Sequence, residues 1–243
     1  MKIELCYRSC LYLLLLCGGL ACAQEVTLSA HVALVSGQQS SRTPKPGNVV
    51  LWLTPVGIPT ETQAALRPAQ PLRLVQHNKS FDPHVLVVPV GSVVEFPNRD
   101  PFFHNVFSLF EGKRFDLGLY EAGSSRNVHF DRPGVSYIFC NIHAEMSAVV
   151  IALDTPYYGI SDQHGEVLIP HVPAGRYTLR IWYEEALPDT LKSLAREIKV
   201  SEGDSTLGTL RLAVADLPQT HKNKYGRDYD PPTPTDNQVY QHP

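Results

Sequence analysis

From residue 26 onward the chain alternates short apolar runs with Gly, Pro, Asn and Asp, and no stretch sustains a helical period. Period-two alternation bounded by turn residues marks half-buried strands, so the pattern predicts an all-β protein. Strands are expected over residues 26–35, 48–54, 84–90, 92–97, 126–130, 135–140 and 147–153. Over 176–183, Tyr177, Leu179, Ile181 and Tyr183 share one face. A short helix is expected over 189–196, because Pro188 just before it suits a helix start. Many short strands with frequent turns favour a β-sandwich over a barrel-like meander. The Pro-, Gly- and Ser-rich stretches 36–47 and 54–71 read as exposed loops. The last segment, 214–243, mixes Pro, Asp, Thr, Asn, Lys and Tyr without an apolar period and is expected to be a disordered tail.

The N-terminus differs in kind. Lys2 and Arg8 precede the apolar run 11–16 and the small-residue site Ala21-Cys22-Ala23. This is the layout of a secretory signal peptide over residues 1–23, with cleavage expected after Ala23. Leu20-Ala21-Cys22 is also a partial lipoprotein-like sequence that would make Cys22 a lipid-modified N-terminus, but Gly19 stands where a large apolar residue is expected. No later apolar stretch approaches the roughly 20 residues needed to span a bilayer. The mature chain is therefore expected to be soluble, in the periplasm or outside the cell. The full chain of 243 residues has room for one large domain or two small ones. A formal net charge of −3 suggests no nucleic-acid partner.

Cysteine usage changes the picture most. Cys6, Cys10, Cys17 and Cys22 all lie in the leader, so the mature chain keeps only Cys140 and cannot form an intramolecular disulfide. An exported unpaired thiol pairs between chains, risks oxidation, or is tied to a metal. Apart from the initiator, the only methionine is Met146. In Cys140-Asn141-Ile142-His143-Ala144-Glu145-Met146 a thiolate, an imidazole and a thioether recur at every third residue. A strand ending at Cys140 and a tight loop returning at Ser147 would point all three inward. Soft sulfur with imidazole suits copper cycling between Cu(I) and Cu(II), in a trigonal arrangement of two histidines and one cysteine with a weak axial methionine. The fourth ligand must then be a distant histidine. His104 is the best candidate, because residues 100–106 follow the strand 92–97 and read as a loop entering another strand.

Blander readings exist for each residue. A lone buried Cys is usually a small core residue and a Met usually packing, but their joint spacing with His143 makes coincidence a poor explanation. Zinc is disfavoured, since structural zinc sites use Cys and His in fours and a thioether is a poor ligand for it. A Cys-His nucleophile lacks a recognised oxyanion-site motif. His31, His77, His84, His129, His164, His171, His221 and His242 show no comparable pairing with sulfur and read as surface or structural residues. His84 opens a strand, and the alternation of Val85, Leu86, Val87 and Val88 suggests sheet placement.

Residues 71–153 resemble the cupredoxin family, which includes plastocyanin, pseudoazurin and amicyanin. The resemblance is carried by Phe81-Asp82-Pro83, the run from Val90 through Phe96, Asn98, Asp100, His104-Asn105-Val106, and Gly134 leading to Cys140, His143 and Met146. The spacing of two residues between Cys and His, and two between His and Met, resembles amicyanin. It implies a Greek-key β-sandwich with one type I copper per chain. His104, Cys140 and His143 would be the strong equatorial ligands, Met146 the long axial one, and Asn105 a brace for the ligand loop. Ile142 and Ser136 stand where small cupredoxins often have Pro and Tyr, and Glu145 puts a carboxylate in a usually apolar loop.

Residues 160–183 contain Ser161-Asp162-Gln163-His164-Gly165 and Val172-Pro173-Ala174-Gly175-Arg176-Tyr177. They resemble the transthyretin-like, carboxypeptidase regulatory-like family of small Ig-like β-sandwiches. In that family a strand pair precedes this signature, and here the matching strands lie in residues 24–70. A cupredoxin over 71–153 inserted into a discontinuous sandwich made of 24–70 and 154–213 is the economical arrangement, with a tandem one as the alternative.

Fixed His, Cys and Met ligands change redox state with little rearrangement, which suits single-electron transfer rather than catalysis. By resemblance, electrons would pass through the edge of His143, with Phe102, Phe103, Ile142 and Ala144 as docking surface. The partner would be a redox protein such as a cytochrome or an exported dehydrogenase. A copper carrier or sensor is the second reading, and a structural or adhesive module the third. An oxidase or nitrite reductase would need further His-rich copper motifs, so no enzymatic activity is expected.

Overall fold

Backbone pairing confirms the strand pattern: the described residues hold seventeen strands and one short helix, an all-β architecture. The structure is a computed structural model that describes residues 25–36, 44–57, 71–109, 112–203, 205–215 and 221–229. The leader 1–23, the middle of both N-terminal loops and residues 230–243 lie outside the described residues. In chain order the strands are β1 (Glu25–Ser36), β2 (Val50–Pro55), β3 (Leu72–Arg73), β4 (Val75–His77), β5 (Ser80–Asp82) and β6 (Val85–Pro89). Then come β7 (Ser92–Pro97), β8 (His104–Ser108), β9 (Phe115–Tyr120), β10 (Ser125–Phe130), β11 (Gly134–Cys140) and β12 (Ser147–Leu153). The last are β13 (Tyr158–Ile160), β14 (Glu166–Pro173), β15 (Gly175–Trp182), β16 (Arg196–Val200) and β17 (Thr206–Val214). The helix α1 (Pro188–Leu194) takes in its proline, one residue before the predicted start, and stops two residues short of the predicted end because Ala195 is already extended.

Two sandwiches emerge from the pairing. In the first, the sheet β10-β7-β3 faces the five-stranded sheet β6-β12-β11-β8-β9. Phe96, Phe130, Val94, Val106, Ile138 and Cys140 are among the buried residues between them. In the second, β14-β1-β17 faces β13-β2-β15-β16 around Leu28, Val32, Leu51, Leu53, Ile169, Leu179 and Leu212. β1 pairs with β14 and β17, and β2 with β13 and β15, so the first two strands partner elements that follow the intervening sandwich. Gly165 is required in the turn before β14: a Cβ there would lie 2.4 Å from the Val32 carbonyl oxygen, and its φ is +83°.

The sandwiches share a third apolar cluster. Val85, Val87, Val149, Ile151 and Leu153 of the first sandwich meet Val50 and Trp182 of the second. This explains why β12 is buried at six consecutive positions rather than at alternate ones: both of its faces are covered. At the edge of this contact His84 lies 2.6 Å from Glu184.

The hydrogen bond to Glu184 raises the His84 pKa, against the opposing effect of burial. A raised histidine contributes stability that is complete below its unfolded value of about 6.5 and is lost as pH rises through the higher folded value. Both side chains are over a third exposed, so the contribution is at most about 1 kcal/mol. From about pH 6 to about pH 9, wild-type unfolding free energy should therefore fall further than that of Glu184→Gln. Parallel pH profiles in denaturant titrations would contradict the pairing.

Candidate metal centre

The centre forms where β11 ends and β12 begins. The Cys140 backbone N–H donates to the Met146 carbonyl at 3.1 Å, and the Met146 N–H donates to His143 at 3.1 Å, closing a tight loop. The Asn141 N–H donates to the Asn105 carbonyl at 3.1 Å and ties the loop to β8. In the β8–β11 register Cys140 stands opposite Val106, and Phe139 opposite Phe107. Strand alternation then puts His104, Val106, Ile138 and Cys140 on the inner face, and all four are at most 0% exposed.

Three donor atoms meet there. The Cys140 Sγ lies 3.6 Å from His104 Nδ1 and 3.6 Å from His143 Nδ1. Among the described residues, His104, Cys140 and His143 are the one group of three such side chains whose donor atoms come within 4.8 Å of one another. With metal–sulfur and metal–nitrogen bonds of about 2.3 and 2.0 Å, trigonal to tetrahedral angles require S···N separations of roughly 3.5–3.7 Å. The observed spacing fits a metal ion bound by all three.

The orientation of His104 comes from Asp100. His104 Nε2 lies 2.8 Å from Asp100 Oδ2, so the Nε2–H donates to the carboxylate and leaves the Nδ1 lone pair facing the sulfur. Asp100 is itself buried, and it accepts the backbone N–H groups of Asn78 at 2.6 Å and Lys79 at 3.0 Å. Burial opposes its charge, but these bonds and the His104 contact prevail and hold the carboxyl below its usual range. Burial lowers the His104 pKa despite Asp100, keeping the imidazole neutral and able to ligate. Burial raises the Cys140 thiol, while backbone N–H groups of Asn105, Ile142 and His143 pull the other way. Metal binding would thus displace a thiol proton.

No protein-family model and no curated protein matches the sequence. Similar solved structures include a purple cupredoxin from Nitrosopumilus maritimus, 23% identical over 34% of this chain and 99% of that one, with a TM-score of 0.31. A copper-containing nitrite reductase from Thermus scotoductus SA-01 is 27% identical over 41% of this chain, with a TM-score of 0.33, and only 25% of that protein is covered. An oxidised amicyanin variant is 20% identical over 37% of this chain and 89% of its own length, with a TM-score of 0.32. With likeness at this level, the chemistry of the centre rests on its own residues.

Of the residues singled out in the sequence, His104, Cys140 and His143 converge. Met146 closes the loop and is buried in the same core cluster as Cys140. Phe102 packs 5.2 Å from the His104 ring and 5.7 Å from the His143 ring. The Asn105 side chain donates to Asp116 at 2.8 Å, so its tie to the ligand loop runs through its backbone carbonyl. His84 lies at the contact with the second sandwich, paired with Glu184.

Two features went unread. In the sequence Asp100 enters only through the cupredoxin resemblance, although a carboxylate four residues before a candidate ligand is the signal of an orienting partner. The second lies within the expected disordered tail 214–243: Val214 ends β17 and residues 221–229 lie against the ligand loop, while 216–220 and 230–243 are outside the described residues. His221 stacks on Phe139 with ring centres 4.3 Å apart, and the Tyr229 hydroxyl donates to the Cys140 carbonyl at 2.6 Å. The tail's composition hid this because its contacts are polar and distant in sequence. The outward-facing Phe107 and Phe139 were the available signal, since an uncovered aromatic pair on a sheet face calls for a cover.

Replacing Asp100 with alanine would leave the His104 Nε2–H and the Asn78 and Lys79 N–H groups without their acceptor. Metal-free Asp100→Ala should lose about 2–3 kcal/mol of stability in urea unfolding, with an unchanged m-value. A loss below about 0.5 kcal/mol would show that water satisfies these donors and that Asp100 does not hold the ring.

Proposed function

We propose that the protein is an exported type I copper protein that carries single electrons between redox partners, with His104, Cys140 and His143 as strong ligands and Met146 as the weak axial one. The observation supporting this most is the meeting of His104 Nδ1, Cys140 Sγ and His143 Nδ1 in one buried cluster, with both nitrogens 3.6 Å from the sulfur. When bound, copper would supply a one-electron Cu(I)/Cu(II) couple.

The chain's own residues account for the rest. Buried His104 and Cys140 exclude water, and the three backbone hydrogen bonds of the ligand loop hold the donors together so that little has to move between redox states. His143 is only half-buried and gives the centre its outlet towards solvent. Phe102, Phe103, Ile142 and Ala144 are half-buried too and supply the apolar docking surface for a cytochrome or an exported dehydrogenase. Residues 71–153 serve as the metal-holding unit, and 24–70 with 154–213 as a transthyretin-like second sandwich. Residues 1–23 export the chain to the periplasm or the medium. No helix among the described residues is long and apolar enough to cross a membrane.

The copper-loaded full chain should show an intense visible thiolate-to-copper charge-transfer band, lost in Cys140→Ser. A redox titration should then cycle that band reversibly. An intense band surviving in Cys140→Ser would refute the ligand assignment. Copper released on reduction would instead favour a carrier or sensor of the metal.

A further inference from the structure

We propose that residues 221–229 form a strap that positions the ligand loop 140–146 from outside the sandwich, with Tyr229 as its principal positioning residue. The inference rests on the metal-binding reading of that loop, but the strap's hold on it is a property of the metal-free chain.

The strap grips three separate elements around the centre. Tyr229 donates its hydroxyl to the carbonyl of Cys140 itself at 2.6 Å. The Lys224 backbone N–H donates to Asn141 Oδ1 at 2.9 Å, one residue further along the loop. The Lys224 ammonium lies 2.8 Å from Asp116 on β9, the carboxylate that also accepts from the Asn105 side chain. The His221 N–H reaches the Ala144 carbonyl at 3.4 Å, next to His143. Its ring covers Phe139 at 4.3 Å and meets Phe107 edge-on at 6.4 Å. One nine-residue segment thus bonds to the loop on both sides of His143 and anchors to the strand beside the His104 strand.

The spacing of these bonds has a chemical consequence. Fixing the Cys140 carbonyl and the Asn141 side chain restrains the backbone that carries Sγ, and the Ala144 contact restrains the backbone beside the second imidazole. The donor atoms then stay converged before any metal arrives, which favours retention of the ion and limits reorganisation.

The test uses full-length chains. Tyr229→Phe keeps the ring and removes the hydroxyl, with its bond to the Cys140 carbonyl and its 3.3 Å contact with His221 Nδ1 inside the strap. Tyr177→Phe is the control, because it removes a hydroxyl bond of the same kind, to the Pro173 carbonyl at 2.8 Å, in the second sandwich. In metal-free protein, hydrogen exchange of the Cys140, Asn141 and Met146 amides should quicken about fivefold to tenfold in Tyr229→Phe and stay unchanged in Tyr177→Phe. After loading with Cu(II), loss of the metal to a chelator should quicken by a similar factor in Tyr229→Phe only. Adding Lys224→Met should enlarge both effects. Unchanged loop exchange in Tyr229→Phe, or a rise spread equally over β7 and the loop, would overturn the strap. If neither wild type nor variant took up copper, the metal reading would fail, while the metal-free exchange would still decide whether the strap holds the loop.

Discussion

The centre depends on one register. β8 and β11 pair so that Cys140 lies opposite Val106, and this pairing decides which face every neighbouring side chain takes. A slip of one residue would turn Cys140 outward and bring Phe139 into the core, because side chains alternate with a period of two. Hydrophobic burial specifies the register: Val106 and Ile138 are fully enclosed on the inner face, and β12 locks the other side of β11 over six residue pairs. The loop bonds from Cys140 to Met146 and from Asn141 to Asn105 can form only in that register. The donor cluster is thus a product of sheet packing, prepared before any ion binds.

The outer face of the same sheet is closed in two different ways. Over β6 and β12 the second sandwich supplies Val50 and Trp182. Over β8 and β11 the segment 221–229 supplies the His221 ring, which covers Phe139 and borders Phe107. As a result all five residues of β8 are buried. Burying a phenylalanine side chain contributes about 1.5–3 kcal/mol, so leaving Phe107 in water would weaken the strand that carries His104. Electrostatics completes the arrangement, since Asp100 keeps its charge on the N–H groups of Asn78 and Lys79 and fixes the His104 tautomer.

Much of this was legible in the sequence. Short apolar runs bounded by turn residues located the long strands, with 92–97 and 147–153 matching β7 and β12 at both ends. The every-third spacing of Cys140, His143 and Met146, with His104 entering a strand upstream, singled out the three side chains that meet. Other strands escaped for physical reasons. β17 is interrupted by Gly208 at φ +74°, and β3 spans just two residues. The strap escaped because tertiary partners, rather than an apolar period, order it. Its bonds join Tyr229 to Cys140 and Lys224 to Asp116, separations of 89 and 108 residues that no local pattern reveals.

X-ray absorption at the copper edge of the loaded full-length protein addresses the central claim most directly, because it reads the atoms bound to the ion. The donor cluster predicts a first shell of one short sulfur scatterer and two imidazole nitrogens. A shell of nitrogen and oxygen alone would contradict it, placing the ion somewhere other than His104, Cys140 and His143.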